Sequence, residues 1–454
     1  METAYLVAQK RLSGMTGFLI VWLGQVVSVL TSAMSHFALT IWMYQQTGSA
    51  TAMGLMQVFF ITPFLLISPI AGAMVDRYNR KLMMMISDLS AVLATFCILI
   101  LQAAGHLQFW HLYVAAVING LGNTFQWPAY SAAISTMVSK EQYGRVNGMI
   151  SLVESGPGVF APLMAGALLP FIGLTGILFL DVATFFLAIG ALLIVHVPRP
   201  IQTVDGQKGR GNIWKEAFFG FKYIFARPSL LGLVSLFFAG NLFAVIGLTV
   251  FAPLILARTG NNSVIFGILQ SVAGGGGVVG AVIMSAWGGP KRRIHGLLGG
   301  WIFGNLFGTA LFGFGRDLTI WIPTVFVATV TTPLVSGSSQ AIWQAKVAPD
   351  VQGRVFAARR LIAWFTQPIA PIISGVLADY VLEPAMMVNT SSLAHFFGRW
   401  VGSGPGAGMS LLFIFSGVMV ALTAVVGYII PFIRNIESLL PDHQQCVPVS
   451  QSEN

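Results

Sequence analysis

Apolar stretches long enough to cross a lipid bilayer follow one another along most of this chain, and little charge separates them. Of the 454 residues, 56% are hydrophobic and 9% are charged, whereas about 25% of residues are charged in an ordinary soluble domain. A spanning helix needs about 20 apolar residues, and backbone amides cannot remain unpaired in hydrocarbon. The sequence therefore predicts an all-α membrane protein.

The pattern predicts twelve transmembrane helices, six on each side of a polar interval. The first six lie at about 17–43, 51–74, 83–104, 110–137, 146–170 and 176–197, and the last six at about 229–256, 264–287, 295–314, 320–346, 354–381 and 408–433. The N-terminal segment METAYLVAQKRLSGM is polar and lacks a small-residue cleavage site. We therefore interpret it as a retained cytoplasmic tail and not as a signal peptide.

The basic residues predict the orientation of these helices. With the N-terminus inside, all 24 Lys and Arg residues except Arg258, Arg316 and Arg399 fall in cytoplasmic segments. This distribution follows the positive-inside rule and predicts that both termini are cytoplasmic. The net charge of +9 then faces the anionic lipid of the inner leaflet, and nucleic acid is not needed as a partner to explain it.

The polar interval predicts a division into two halves. Residues 1–197 would form an N-terminal six-helix bundle, 198–228 a cytoplasmic linker, and 229–454 a C-terminal six-helix bundle with a cytoplasmic tail. Aromatic residues recur at helical spacing in the linker, which favours an amphipathic helix on the inner membrane face, although an ordinary linker is the alternative. These aromatic residues are Trp214, Phe218, Phe221 and Phe225.

Short segments repeat between the halves at nearly constant offsets. An offset of 209 residues carries Gly144-Arg145-Val146 onto a second GRV at 353–355, Pro162 onto Pro371 and Gly166 onto Gly375. An offset of 213 carries the segment GLMQ at 54–57 onto GILQ at 267–270. Parallel repeats of this kind predict a transporter with its substrate site between the halves, near the bilayer midplane.

The loop after the second predicted helix carries the most specific motif of the chain. It reads GAMVDRYNRK and resembles the G-x-x-x-D-R-x-x-R-K loop, motif A, of the major facilitator superfamily. The resemblance implies two pseudo-symmetric six-helix bundles, and it implies that the aspartate meets the N-terminus of the eleventh helix, near Arg354, and holds the cytoplasmic gate shut. A solvated basic loop would explain the basic residues but not the acid. The motif residues are Gly72, Asp76, Arg77, Arg80 and Lys81.

The fifth predicted helix resembles motif C of the antiporters of that superfamily. Gly148, Pro162 and Gly166 match the motif, and Pro157 stands between two glycines. The resemblance favours export, although simple helix packing through small residues explains the same pattern. Three further stretches carry a resemblance to one branch of the superfamily. They are FAL at 37–39 with Trp42, Tyr44 and Thr47-Gly48-Ser49, then Phe125, Pro128, Ala132, Val138, Arg145 and Asn147, and then SGPGAGMSLLF at 403–413. These stretches resemble the drug:proton antiporter branch, which includes the macrolide efflux proteins.

Polar residues recur on one face of three predicted helices, and such faces should line a cavity or bond to neighbouring helices. The resemblance places the first, fourth, seventh and tenth helices around a central cavity. The candidate substrate-cavity residues are Gln25, Ser28, Ser32 and His36 in the first helix, Asn119, Asn123 and Gln126 in the fourth, and Gln340 and Gln344 in the tenth.

Carboxyl groups inside the membrane are costly and are therefore candidates for function. Glu154 is the deepest and is the candidate proton carrier. We expect Asp88 to be structural and to pair with the basic loop, and we expect Asp181 and Asp379, near the outer ends of their helices, to be hydrated. The fourth helix reads VINGLGNTF and lacks the arginine that many proton antiporters of the superfamily carry there.

The sequence contains no Walker motif, nucleotide fingerprint or metal-ligand cluster, so we expect no cofactor, no metal and no enzymatic activity. The resemblance implies a secondary transporter of a bacterial plasma (inner) membrane that exports a small amphipathic molecule by alternating access, with the proton as coupling ion. The substrate could be a drug, a macrolide-like compound, a siderophore or another secondary metabolite. A lipid or lysolipid translocase is the first alternative, and a transporter-like membrane sensor is the second.

Overall fold

The computed structural model describes residues 14–77, 80–137, 143–195, 220–347, 352–387 and 391–439, and these ranges are almost entirely helical. In the first half the helices are α1 (Gly14–Thr47), α2 (Ala50–Arg77), α3 (Arg80–Ala103), α4 (Phe109–Met137) and α5 (Tyr143–Ile194). A helical segment at 220–225 precedes the second half. It is the described part of the predicted amphipathic helix, and residues 198–219 lie outside the described ranges.

The second half contains shorter helices, several of which continue into one another and form longer helical segments. They are α6 (Pro228–Arg258), α7 (Ser263–Trp287), α8 (Arg293–Phe303), α9 (Leu311–Phe314), α10 (Leu318–Val330), α11 (Thr332–Lys346), α12 (Gln352–Trp364), α13 (Thr366–Val376), α14 (Glu383–Met387), α15 (Ser392–Val401), α16 (Ala407–Ile429), α17 (Pro431–Arg434) and α18 (Ile436–Leu439). Two π-helical turns, Gly304–Ala310 and Leu377–Leu382, connect α8 to α9 and α13 to α14.

Ten of the described helical segments are long and apolar enough to cross a membrane. Helix α5 contains the fifth and the sixth predicted helices. They meet at Gly173, where the backbone is non-helical with φ 64°. A positive φ of this size suits glycine because it has no Cβ. The all-helical membrane architecture is thus confirmed, whereas the count of twelve, the cytoplasmic termini and the domain boundaries stay predictions.

The largest group of buried apolar side chains includes residues from both halves. At its centre Phe37 of α1 stacks on Phe266 of α7, with ring centroids 4.8 Å apart. A second buried group lies within the second half and includes Leu230, Leu297 and Trp343. The first group therefore packs the two halves together.

The helices α2 and α13 form one seam between the halves. A methyl group at Gly54 would lie 2.8 Å from the carbonyl oxygen of Pro371, and Gly375 lies directly against the backbone of Thr51. Both glycines are required because a Cβ atom at either position would overlap with backbone. This close approach is possible only with small residues.

The helices α5 and α7 form an equivalent second seam between the halves. A methyl group at Gly267 would lie 2.5 Å from the carbonyl oxygen of Pro162, and one at Gly166 would lie 2.8 Å from that of Ser263. Because the offset of 213 relates Gly54 to Gly267 and that of 209 relates the two prolines, the repeated residues make repeated contacts.

Candidate substrate cavity

A cavity of about 490 Å³ lies between the two halves, bounded by α1, α2, α5, α6, α7 and α13. Its volume is within the range of about 300–1,000 Å³ that is usual for small-molecule sites. Aromatic rings of Phe37, Phe251 and Phe266 form part of the wall. The polar side chains of the wall are His36, Thr40, Gln57, Thr249, Gln270 and Gln367.

The glutamines Gln57 and Gln270 are related by the repeat, each three residues after a seam glycine. Because the seams fix the backbones of α2 and α7, they also fix where these two amides enter the cavity. An amide presents two donors and an acceptor without net charge. The cavity therefore offers hydrogen-bonding groups from both halves, and the part of its wall that the structure describes contains no Asp, Glu, Lys or Arg.

The predicted motif C residues lie along α5, and part of the motif borders this cavity. Pro157 and Pro162 contribute to its wall, and Gly166 belongs to the seam with α7. Each proline lacks a backbone N–H and so interrupts the hydrogen bonds of its helix. The backbone of Gly148 and that of Glu154 are helical, but the side chain of Glu154 lies outside the described part, so its role as proton carrier stays a prediction.

Of the predicted cavity residues, His36 lines the cavity, whereas Gln25 and Gln126 bind a carboxylate inside the first half. Gln25 Nε2 donates to Asp88 Oδ2 at 3.3 Å, and Gln126 Nε2 donates to Asp88 Oδ1 at 2.7 Å. The sequence predicts that Asp88 pairs with the basic loop. Its described partners are instead these two amides, because α1 and α4 pack beside α3 at this depth.

A second buried carboxylate, Asp181 of α5, accepts hydrogen bonds from hydroxyl groups of α1. Ser32 Oγ donates to Asp181 Oδ1 at 2.7 Å and Thr31 Oγ1 at 3.4 Å. The side chain of Asp181 is only 3% exposed, so the expectation that it is hydrated is wrong. Ser28 is buried, and its backbone carbonyl accepts a hydrogen bond from Thr31 Oγ1 at 3.0 Å.

The remaining predicted cavity residues lie outside the wall of this cavity. Asn119 and Asn123 are on α4, where Asn123 is exposed and Asn119 is half-buried. Gln340 Oε1 accepts a hydrogen bond from Arg359 Nη1 at 3.1 Å, and Gln344 is exposed. Their assignment to a substrate site stays a prediction.

Motif A lies where α2 ends and α3 begins. Gly72, Asp76 and Arg77 belong to α2 and Arg80 begins α3, but their side chains are outside the described part. Lys81 Nζ donates to the carbonyl oxygens of Leu193 at 3.3 Å and Val195 at 2.7 Å. The lysine therefore joins α3 to the end of α5, while the cytoplasmic latch at Asp76 stays a prediction.

Comparison with known proteins identifies relatives that cover most of the chain. Residues 21–371 match the family model of the Major Facilitator Superfamily. Macrolide efflux protein A of Streptococcus pyogenes is 25% identical over 381 residues, which cover 80% of this chain and 90% of that protein. The multidrug efflux pump Tap of Mycolicibacterium fortuitum is 24% identical over 358 residues, which cover 74% of this chain and 82% of that protein.

Solved structures share the fold at lower identity. A bacterial homologue of the human lysosomal transporter Spinster, in an inward-facing and unoccupied conformation, has a TM-score of 0.66 at 15% identity, with 92% of this chain and 96% of that chain covered. A bacterial homologue of the iron transporter ferroportin in an inward-facing state has a TM-score of 0.65 at 15% identity, with 93% and 99% covered. The chain therefore belongs to the Major Facilitator Superfamily, and it is a multi-pass transporter of the plasma (inner) membrane.

Proposed function

We propose that this transporter exports a small amphipathic molecule from the cell by alternating access, in exchange for protons. The observation that supports this most directly is the cavity between the halves, which combines aromatic rings with uncharged hydrogen-bonding groups. The efflux function of the named relatives agrees with the direction of transport.

The cavity wall favours a substrate that is largely apolar and carries a few neutral polar groups. Rings such as Phe251 and Phe266 favour apolar surface, while Gln57 and Gln270 would bind hydroxyl or carbonyl groups from opposite sides. A substrate with several fixed charges would lose its hydration without a counter-charge in this wall, which is costly. A macrolide-like compound or another drug of this character meets these conditions.

The two seams support alternating access. Both lie towards the face that carries the connections at 48–49, 104–108 and 259–262, which the Lys and Arg distribution predicts to be extracellular; we call it the outer face. The close contact of the halves there supports a closed outer mouth, and we propose that the cavity opens to the cytoplasmic face in this conformation. Export then requires both seams to separate while the cytoplasmic ends approach.

Three carboxyl groups in the first half are candidates for proton coupling. Glu154 remains the sequence-based candidate, and the structure adds Asp88 and Asp181, which are buried and receive only neutral donors among the described contacts. When such a group gains or loses a proton, its charge changes inside the membrane, and this can shift the conformational equilibrium of the helix bundle. The fourth helix lacks the arginine that many proton antiporters of the superfamily carry, and we propose that carboxyl groups of this kind couple transport to protons.

Transport into inside-out vesicles tests the substrate proposal. We expect the wild type to accumulate a neutral or weakly basic macrolide when the vesicle interior is acidic, and Gln57→Leu or Gln270→Leu to reduce uptake at least fivefold. Gln108→Leu is the matched control, because Gln108 is exposed on an outer connection and should leave uptake unchanged. Equal loss in the control, or no loss in either cavity variant, would contradict the proposed site.

The same vesicles distinguish the carboxyl groups. Glu154→Gln, Asp88→Asn and Asp181→Asn each remove one proton site with little change of shape. We expect one of these variants to lose the response of uptake to the pH gradient while it still exchanges substrate across the membrane. If all three respond fully to the gradient, none of the three is the obligatory proton carrier.

A further inference from the structure

The outer end of α2 is capped by a carboxylate from the other half of the protein. Asp379 Oδ1 accepts a hydrogen bond from the backbone N–H of Ala50 at 3.0 Å, and Oδ2 accepts one from that of Thr51 at 2.8 Å. Ser49 Oγ also donates to Asp379 Oδ2 at 2.6 Å. One side chain of the second half thus binds three donors at the first turn of a 28-residue helix.

These donors have few other partners. The first N–H groups of a helix have no acceptor within the helix, and an adjacent Ser, Thr, Asp or Asn normally supplies one. A carboxylate at this end is also stabilised by the helix dipole, and its bonds are charge-assisted and therefore strong. In this protein the adjacent Ser49 Oγ accepts, among the described contacts, only from the N–H of Ala52, at 3.1 Å. The acceptor for the N–H groups of Ala50 and Thr51 is Asp379. It is 330 residues from Ser49 along the chain, so this part of the cap is at the same time a bond between the halves.

The equivalent helix of the second half has an ordinary cap. The offset of 213 carries Ser49 onto Asn262, whose Oδ1 accepts from the N–H groups of Val264 at 3.0 Å and Ile265 at 3.1 Å. The offset of 209 carries Pro170 onto Asp379, and proline offers no side-chain acceptor. The two seams are therefore alike in their glycine contacts but differ in this bond.

The position of Asp379 is fixed firmly within the second half. It lies in the π-helical turn Leu377–Leu382, and such turns occur often at functional sites. One turn earlier, Ser374 Oγ donates to the carbonyl oxygen of Ile246 in α6 at 2.7 Å, and both of these groups are buried. When the halves separate at the outer face, Asp379 must therefore leave α2 and stay with the second half.

We propose that Asp379 is the latch of the outer gate: its bonds to the first turn of α2 hold the outer mouth closed, and their rupture accompanies each release of substrate to the outside. The inference rests on the proposed alternating access. The predicted motif A latch lies at the opposite end of the same helix pair, at the cytoplasmic face. The two latches would then close opposite mouths, and one must be open while the other is engaged.

Cysteine accessibility in intact cells tests the latch without reference to a substrate. The two native cysteines are removed by Cys97→Ala and Cys446→Ser, and Thr40→Cys on the cavity wall of α1 is the reporter. A membrane-impermeant charged maleimide added outside labels it only when the outer mouth opens. We expect Asp379→Asn to raise the labelling rate about tenfold, which corresponds to about 1.4 kcal/mol, and Ser49→Ala to raise it by a smaller factor.

Asn262→Ala is the matched control because it removes a helix cap that lies within one half. Its labelling rate should equal that of the parent protein, normalised to the amount of monodisperse protein after extraction. The latch is overturned if Asp379→Asn is monodisperse and labels at the parental rate, or if Asn262→Ala accelerates labelling as much. If the protein shows the expected labelling but exports no macrolide, the proposed substrate is wrong and the latch is still supported. The failure of one proposal can therefore be distinguished from the failure of the other.

Discussion

The replacement of Gly267 by alanine tests whether the seam between α5 and α7 sets the conformational equilibrium. The new methyl group would lie 2.5 Å from the carbonyl oxygen of Pro162 and 3.4 Å from the Cα atom of Gly166. An ordinary contact is about 3.4 Å or longer, so α5 and α7 must separate by nearly 1 Å at this point. Overpacking of this kind costs about 1–3 kcal/mol.

Gly277→Ala is the matched control on the same helix, because a methyl group there would meet no atom within 4 Å. Alanine in a helix is favoured over glycine by about 0.5–1 kcal/mol, so the control should be slightly stabilised. Gly267→Ala should instead destabilise the closed outer conformation by about 1–3 kcal/mol, because the helix-propensity gain is the same in the open and closed conformations. In unfolding, that gain reduces the net loss of stability to about 0–2.5 kcal/mol.

Thermal unfolding in detergent and labelling of the cavity cysteine together measure this difference. We expect the melting temperature of Gly277→Ala to equal or exceed that of the parent and that of Gly267→Ala to be several degrees lower, with faster labelling from outside. If Gly267→Ala melts at or above the temperature of Gly277→Ala and labels at the parental rate, the seam does not hold the halves as closely as described.

Two further substitutions test how the second half is held together. Trp343 is 0% exposed, so Trp343→Ala should cost about 3–5 kcal/mol of stability and abolish the folded protein in size-exclusion profiles. Trp287 is 61% exposed, so Trp287→Ala is the control and should leave the profile unchanged. Similar profiles for the two variants would contradict this prediction. Ser374→Ala should cost roughly 1–3 kcal/mol, because it removes the donor to the buried Ile246 carbonyl, and an unchanged melting temperature would show that the bond contributes nothing.

The sequence predicted those features that depend on pattern and repetition. Long apolar runs specified the helices, and the repeat of GLMQ and GILQ contained the signal for the cavity glutamines Gln57 and Gln270. The repeat indicates two halves, and together with the cost of polar residues in a membrane it also marks both amides as candidate site residues.

The contacts of Asp181 and Asp379 could not be predicted from the sequence, because they depend on which helices pack together. Asp181 and Asp379 occupy similar places near the outer ends of their predicted helices, and both were expected to be hydrated. In the structure Asp181 lies against the hydroxyl groups of α1, and Asp379 lies against the start of α2. Neither partner is close in sequence, and the π-helical turn that carries Asp379 has no recognised sequence signal.

The absence of Asp, Glu, Lys and Arg from the described cavity wall has a consequence for the driving force of transport. Such a wall favours neutral substrates, and because the protein returns to its starting state after each cycle, the net charge that moves in the proposed exchange is that of the substrate and the protons alone. A neutral substrate exchanged for one proton moves one positive charge into the cell, and a membrane potential of 100 mV contributes about 2.3 kcal/mol to that step. Export of neutral compounds would therefore be electrogenic and continue after the pH gradient has collapsed, whereas a monovalent cation exchanged for one proton would depend on the pH gradient alone.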